Sequence, residues 1–403
     1  MKQKILFLVH GHPDISKGGG EVAAWNLCQS FKEEGHETLF VARVEGPSHG
    51  GSSFSVHKPG EMLLHSNITD WFNLSNENVR QLFTDFVDLI ERFNPDVVHI
   101  HHYASIGVEV FRAIRKGAPE ARVIFTIHEY MAICNHNGQM VKKQGLKLCY
   151  QSSPADCNRC FPEISPANFF LRQQFLLDQF SYVDQFISPS QFLKDRYVAW
   201  GLPEDKIEVI ENVLPKVEKL PSRPLKEGEK RSKLAYFGQI NPYKGLDVLL
   251  RALLVLPEDV REFISLEIHG ANLDLQTDEY KEKIAGLIDD CGEMVTLRGP
   301  YESHQLPNLI AESDWVIIPS IWWENSPVVI QEAIAYGRPL IGADIGGMKE
   351  KIENIAGLTF NARSHVSLAN RIVEAIEPEA YESYRNNLFA HDALEQHKEM
   401  LNQ

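Results

Sequence analysis

Two doubly wound α/β domains with parallel sheets are what this sequence predicts, on three observations. The chain has 403 residues, too many for one core; two domains of roughly 150–200 residues each are expected. Short apolar runs alternate with amphipathic helical stretches in both halves, the order that gives parallel strands joined by helices. The alternation pauses at Pro215–Arg231, where three prolines and mixed charges read as a linker.

In the first half, strands are expected at Ile5–Val9, Thr38–Ala42, Asp96–Ile100, Arg122–Ile127, Gln185–Ser188 and Lys206–Ile210. Helices are expected at Glu21–Gly35, Glu77–Phe93, Ser105–Lys116, Asn168–Tyr182 and Gln191–Trp200. A Gly/Ser/Pro-rich loop follows the second strand. A polar, cysteine-containing insert over residues 129–166 breaks the rhythm. The second half repeats the pattern. Its strands are Lys233–Phe237, Ser265–His269, Val295–Arg298, Trp315–Pro319 and Pro339–Gly342. Its helices are Leu246–Leu256, Asp278–Cys291, Ser303–Glu312, Pro327–Tyr336 and Met348–Glu353, with two more near the C-terminus. The domains are therefore residues 1–212 and 233–378, with 213–232 between them. A helical segment at 379–403 is expected to pack back on the first domain. Both are Rossmann-like in pattern, with ligands at the carboxyl ends of the strands, in a cleft between the two.

Composition narrows the partners. A formal net charge of −15 argues against nucleic acid, whose phosphates are met by Lys and Arg. It also argues against broad adhesion to anionic lipid, so at most peripheral membrane contact is expected. Lys142, Lys143 and Lys147 remain as a local basic group. No run of ~18 apolar residues is present. Residues 1–9 lack a small-residue cleavage site and read as a buried strand, which places the chain in the cytoplasm, where disulfides are rare.

Four constellations carry candidate chemistry. In Trp322-Trp323-Glu324-Asn325-Ser326-Pro327-Val328, Ser326 is a fitting N-cap and Pro327 a fitting first helical residue. The helix N-terminus then suits a phosphate. Glu324 stands before that helix. Glu332 lies inside it, in an otherwise apolar run where a plain surface glutamate is out of place. Gly238 to Lys244-Gly245 places a lysine beyond a strand, where it can meet a diphosphate; alone, that is commonplace. Gly18-Gly19-Gly20-Glu21 opens a helix against a possible anion. It has neither P-loop nor G-x-G-x-x-G spacing. His128 ends a strand, though a lone histidine has many structural uses. His99, His101 and His102 end another and could bind metal in principle, but alternation along a strand would part them.

These residues resemble family 4 of the glycosyltransferases, retaining enzymes of the GT-B fold. The match rests on Glu324/Glu332, on Gly238 to Gly245, on the glycine loop and on Asp344-Ile345-Gly346-Gly347. Ile187-Ser188-Pro189-Ser190 and Val209-Ile210-Glu211-Asn212 extend it. The resemblance implies transfer of a sugar from a nucleotide diphosphate sugar to a saccharide or lipid-linked saccharide, in cell-surface polysaccharide synthesis. It implies that Glu324 holds sugar hydroxyls, Glu332 the ribose and Lys244 the diphosphate. His128 would lie by the donor sugar, and Gly19 and Gly20 beside phosphate or acceptor. Arg298-Gly299-Pro300-Tyr301 would meet the base. Gln239 stands where the family commonly has arginine, which removes one charge from the phosphate site. The alternatives are a silent nucleotide-sugar-binding protein and a sugar-nucleotide epimerase.

No catalytic cofactor is expected: there is no Asp-x-Asp pair, and Lys244 with a helix N-terminus can supply the positive field. Cys134, Cys149, Cys157 and Cys160 in the insert include one C-x2-C knuckle, the pattern of a structural zinc site. The plainer reading is four small residues in a loop.

Overall fold

The computed structural model describes residues 2–16, 18–46, 52–76, 78–145, 147–353, 355–389 and 392–402. They form two compact units, Met1–Pro215 with Asp392–Gln403, and Lys216–His391.

The first unit is built on an eight-stranded sheet. Its spatial order is Ile207–Val209, Gln185–Ser188, Arg122–Thr126, Val97–Ile100, Lys4–Val9, Glu37–Val44, Glu61–His65 and Phe54–Lys58. Lys4–Val9 sits centrally because its run Ile5 to Val9 is apolar on both faces, as a strand covered by helices on both sides must be. Phe7 meets Phe31 of helix Gly19–Glu33 at 6.3 Å and Phe40 of the next strand at 6.4 Å. Helix Val79–Phe93 ends on Asn94 in the left-handed region, φ 48°, just before Pro95. Glu77, expected to open that helix, lies outside the described residues.

One strand departs from the parallel pattern. Phe54–Lys58 runs antiparallel to Glu61–His65 in a stretch read as loop. These edge strands are half-polar, which leaves little hydrophobic period to see. The C-terminal helix Leu394–Asn402 belongs to this unit. Met400 and Leu401 enter the core beside Ala24 and Phe31, and His397 Nε2–H donates to the Glu211 carbonyl at 3.0 Å.

The second unit holds a six-stranded, wholly parallel sheet. The order is Val295–Leu297, Ser265–Ala271, Lys233–Gln239, Trp315–Ile318, Leu340–Ala343 and Gly357–Phe360. The last strand was not expected; its four residues carry too short a pattern. The helix expected at Ser303–Glu312 is a 3-10 turn, Ser303–Gln305, followed by helix Leu306–Ala311. Pro307, which has no N–H to donate, lies in that helix's first turn. Helices His365–Ala375 and Pro378–Asn386 close the unit.

Candidate functional site

In each unit the strand order reverses beside the first strand, and in such sheets ligands bind outside the carboxyl ends of the two strands flanking the reversal. In the second unit these are Lys233–Gln239 and Trp315–Ile318. The loop after the first carries Lys244; the loop after the second carries Glu324.

The two loops are tightly joined. Ile321 N–H donates to the Tyr243 carbonyl at 2.9 Å. The rings of Tyr243 and Trp322 stack at 5.3 Å. Gly245 takes φ +68°, and a Cβ there would lie 1.9 Å from the Pro319 carbonyl oxygen, so only glycine fits. Asn241 Oδ1 accepts from the N–H groups of Tyr243 and Lys244 at 3.0 and 3.2 Å, fixing the turn.

Lys244 Nζ is 2.6 Å from Glu324 Oε1. The same oxygen accepts from Ser320 Oγ and Trp322 Nε1, both at 2.8 Å. Burial alone would raise the Glu324 pKa; the Lys244 ammonium and these donors reverse that and hold it below the usual carboxylate value. Behind it, Gly347 N–H donates to the Glu324 carbonyl at 3.0 Å. Gly346 takes φ +58°, where a Cβ would come within 2.6 Å of that carbonyl oxygen. The Asp344 to Gly347 turn thus braces Glu324 from the rear.

The helix after Glu324 runs Val328–Ala335, with Pro327 as N-cap and no capping side chain. The expected Ser326 cap is one residue early: Ser326 Oγ instead accepts from Gln331 Nε2 at 2.9 Å. Asn325 is buried. Glu332 is half-buried, and burial pushes its carboxyl up to about 7. Gly238 has φ +141° and open space where a Cβ would stand, while Gln239 is exposed at the strand end. Arg298 is engaged, donating to Glu267 Oε1 at 2.6 and 3.2 Å. Beside it, His269 stacks on Phe237 at 4.9 Å with Tyr301 edge-on.

A raised carboxyl pKa means that the folded state holds the proton more tightly than the unfolded chain. The stability this gives is full below the unfolded value of 4.5 and is lost as pH climbs through about 7. Glu332→Gln should therefore raise the melting temperature at pH 8 more than at pH 4.5. Equal shifts at both pH values would show that burial does not keep this carboxyl neutral.

In the first unit the order reverses between Lys4–Val9 and Val97–Ile100. Histidines gather there. His10 Nε2 pairs with Glu21 Oε1 at 3.2 Å, and Ser16 Oγ donates to the same oxygen at 2.6 Å. Burial would raise Glu21, but these partners hold it near 2, so it is a buried carboxylate. The sequence reading assigned no role to His10 or Ser16; position at the end of the first strand was the available signal. Gly18 caps the helix, and Gly19 and Gly20 form its first turn. A Cβ on Gly18 would strike the Glu21 carboxylate at 2.2 Å, and one on Gly20 would reach His10 at 3.3 Å.

His128 and His101 share a hydrogen bond, Nε2 to Nδ1, at 3.0 Å. Burial brings His128 down to about 3, so it acts as a neutral imidazole. His99 and His101 do not part as strand alternation suggested. Two residues apart, they share a face, with rings 4.4 Å from one another, while the His102 ring lies tilted against that of His10 at 4.1 Å.

The zinc expected at the insert cysteines finds no support in the structure. Among the described residues the side chains able to hold a metal are His12, Asp14, His57 and Glu61; none of the four insert cysteines is among them. None of the four is in a disulfide, and burial raises the thiols of Cys134 and Cys157, the latter to about 11. Cys149 donates to the Gln151 carbonyl at 3.3 Å, and Cys157 and Cys160 lie on the short helix Pro154–Cys160. Buried Arg172 anchors the insert instead, donating to the carbonyls of Phe72, Ala132 and Met131. Lys142 is spent on Asp156 at 3.5 Å and Lys143 on the Phe161 ring.

Two α/β units, each with polar groups at a sheet reversal, make up a GT-B fold. A family model described as "Glycosyltransferase Family 4" matches residues 17–215, and one described as "Glycosyl transferases group 1" matches residues 219–388. Together they take in nearly the whole chain, and the chain belongs to the family 4 glycosyltransferases. It is 30% identical over 149 residues to a D-inositol 3-phosphate glycosyltransferase of Mycolicibacterium smegmatis, covering 36% of this chain and 33% of that protein. It is 30% identical over 173 residues to a lipopolysaccharide 1,2-N-acetylglucosaminetransferase of Salmonella typhimurium, covering 41% and 45%. The chain thus spans a third to under half the length of these curated relatives. Anabaena Alr3699/HepE, solved in complex with UDP and glucose, superposes with a TM-score of 0.66 over 99% of both chains at 16% identity.

Proposed function

We propose that this glycosyltransferase takes a sugar from a nucleotide diphosphate sugar and passes it, with retention of configuration, to a saccharide or lipid-linked saccharide of a cell-surface polysaccharide. The reading rests on one observation above all: Lys244 and Glu324 meet at 2.6 Å at the sheet reversal of the second unit. A cation and a carboxylate held side by side suit the two ends of a sugar–diphosphate bond. Lys244 would neutralise phosphate charge as the bond breaks, and Glu324 would take the sugar hydroxyls. Glu332, held near neutrality by burial, would accept the ribose hydroxyls. His128, a neutral imidazole, would hydrogen-bond the sugar rather than act as a cationic acid.

Neither glutamate is needed as a covalent nucleophile. The acceptor oxygen bonds to the anomeric carbon on the face the phosphate oxygen leaves, and that departing oxygen takes the acceptor proton. The protein's part is positioning and charge stabilisation. The polysaccharide role draws on the Salmonella relative and on a "cps region" protein of Klebsiella pneumoniae, 24% identical over 76% of both chains. No helix among the described residues is long and apolar enough to cross a membrane.

Thermal-shift screening of nucleotide sugars identifies the donor; product analysis with and without acceptor separates transfer from epimerisation. A protein that binds a donor yet forms no glycoside with any acceptor would be a silent binding protein. The donor site is expected to work without a divalent ion. Calorimetry with UDP, ADP and GDP should give the same affinity in EDTA as in magnesium. A tenfold loss in EDTA, restored by magnesium, would mean that a metal rather than Lys244 carries the phosphate.

A further inference from the structure

We propose that the first unit binds one divalent transition-metal ion, of which zinc is the representative, between His12, Asp14, His57 and Glu61. One ligand atom from each of these side chains lies within 4.8 Å of the others. Two imidazoles and two carboxylates form a mixed nitrogen–oxygen set that suits zinc and its neighbours better than magnesium or calcium.

The burial pattern points to an ion. His12 is 1% exposed, with its ring edge-on to Trp25 and Phe40. Its Nε2 and the Oε2 of Glu61 lie 3.2 Å apart as an ion pair, poorly aligned for a hydrogen bond, and neither makes a well-formed one elsewhere. Buried polar atoms are rarely left so. His57 Nε2 stands 3.1 Å from Asp14 Oδ2, and the two imidazole rings are 4.6 Å apart. The four residues join two pieces of chain. His12 and Asp14 follow the first strand and lead into the glycine loop; His57 and Glu61 sit on the edge hairpin. An ion there would clamp to the sheet edge the loop that carries Ser16 and leads into the helix of Glu21.

Two local contacts oppose the ion. Lys58 Nζ lies 2.5 Å from Asp14 Oδ2, and Asp14 N–H donates to His12 Nδ1 at 3.2 Å. Binding through His12 Nε2 moves the ring proton to Nδ1 and gives up the second contact, while the dication displaces the ammonium. This repulsion makes Lys58 the informative residue: removing it should tighten the metal, which no ordinary surface charge network would show.

The test is titration of EDTA-stripped full-length protein with Zn2+, and then with Co2+. One equivalent should bind, at least tenfold more weakly in His57→Ala and in Glu61→Gln, and several-fold more tightly in Lys58→Ala. Cobalt should give visible tetrahedral bands without thiolate charge-transfer absorption, and zinc should slow hydrogen exchange in residues 10–20. His57 and Lys58 are partly exposed, so these variants should fold; circular dichroism and melting check each. Zinc affinity unchanged in His57→Ala, thiolate–cobalt absorption, or no stoichiometric binding would each overturn the proposal. Binding of UDP, ADP and GDP, which rests on the second unit, should be the same with and without zinc, so failure here leaves the donor-site reading standing.

Discussion

Glu324→Gln should lower single-turnover transfer by about 10- to 200-fold while leaving affinity for the bare nucleotide diphosphate undiminished. The range follows from about 1.5–3 kcal/mol for a hydrogen bond to a charged group. Glutamine keeps the shape and can still accept from Ser320 and Trp322, so the loop should hold. It cannot offer a charged oxygen to the sugar hydroxyls or pair with Lys244. Lys244 now divides its charge between Glu324 and, in the proposed complex, the diphosphate. Freed of Glu324, it should bind phosphate as well or better. Calorimetry with the bare nucleotide and rapid-quench turnover with its sugar separate the two effects. If both fall together, Glu324 serves chiefly to place Lys244, and the sugar contact belongs elsewhere. Melting at pH 7 checks that the buried turn survives.

Where the sequence was legible, a strong local rule coincided with the tertiary answer. Lys4–Val9 reads as a buried strand because five apolar residues stand in succession with no small-residue cleavage site after them. Helix Asp278–Cys291 matches residue for residue, with Thr277 as a capping residue before it and Gly292 after it. The turn before helix Val328–Ala335 was read from Ser326 and Pro327, with the cap placed one residue early. Four things were hidden. The edge hairpin at 54–65 alternates only over Phe54-Ser55-Val56-His57 and not in its second strand. The Lys244–Glu324 contact joins residues 80 positions apart, and nothing in either segment announces the other; only the strand order brings them together. The insert looked in need of a metal because it is polar and carries four cysteines, yet buried Arg172, just beyond it, meets the carbonyls of Met131 and Ala132. The His12–Glu61 group escaped because it is split between a loop and an edge hairpin.

Asp314→Ala should destabilise the second unit by about 3–5 kcal/mol, the cost of breaking a buried ion pair from one side. The stretch with linker composition explains why. From Lys216 onward it belongs to this unit, held by Leu220 N–H on the Tyr336 carbonyl and by Arg338 on the Pro221 carbonyl. Its two arginines close on Asp314, which is fully buried: Arg223 at 2.9 Å and Arg231 at 3.3 Å. Lys233 N–H, at the start of the central strand, donates to the same carboxylate at 3.1 Å. Asp314 therefore pins the incoming chain to the strand end whose other terminus leads to Lys244. Alanine leaves two guanidinium groups facing a vacated site, with Arg223 still on Glu229 at 2.6 Å and Arg231 still over the Tyr381 ring. In a unit of this size each kcal/mol moves melting by about 2–4 °C, so a fall on the order of 10 °C is expected by calorimetry. The transition that nucleotide diphosphate raises should be the one that drops. Replacing all three charges at once, with Asp314→Leu, Arg223→Met and Arg231→Met, should recover much of the loss, because no uncompensated charge then remains. A single Asp314→Ala cost below about 1 kcal/mol would remove the carboxylate from its place as anchor of this segment.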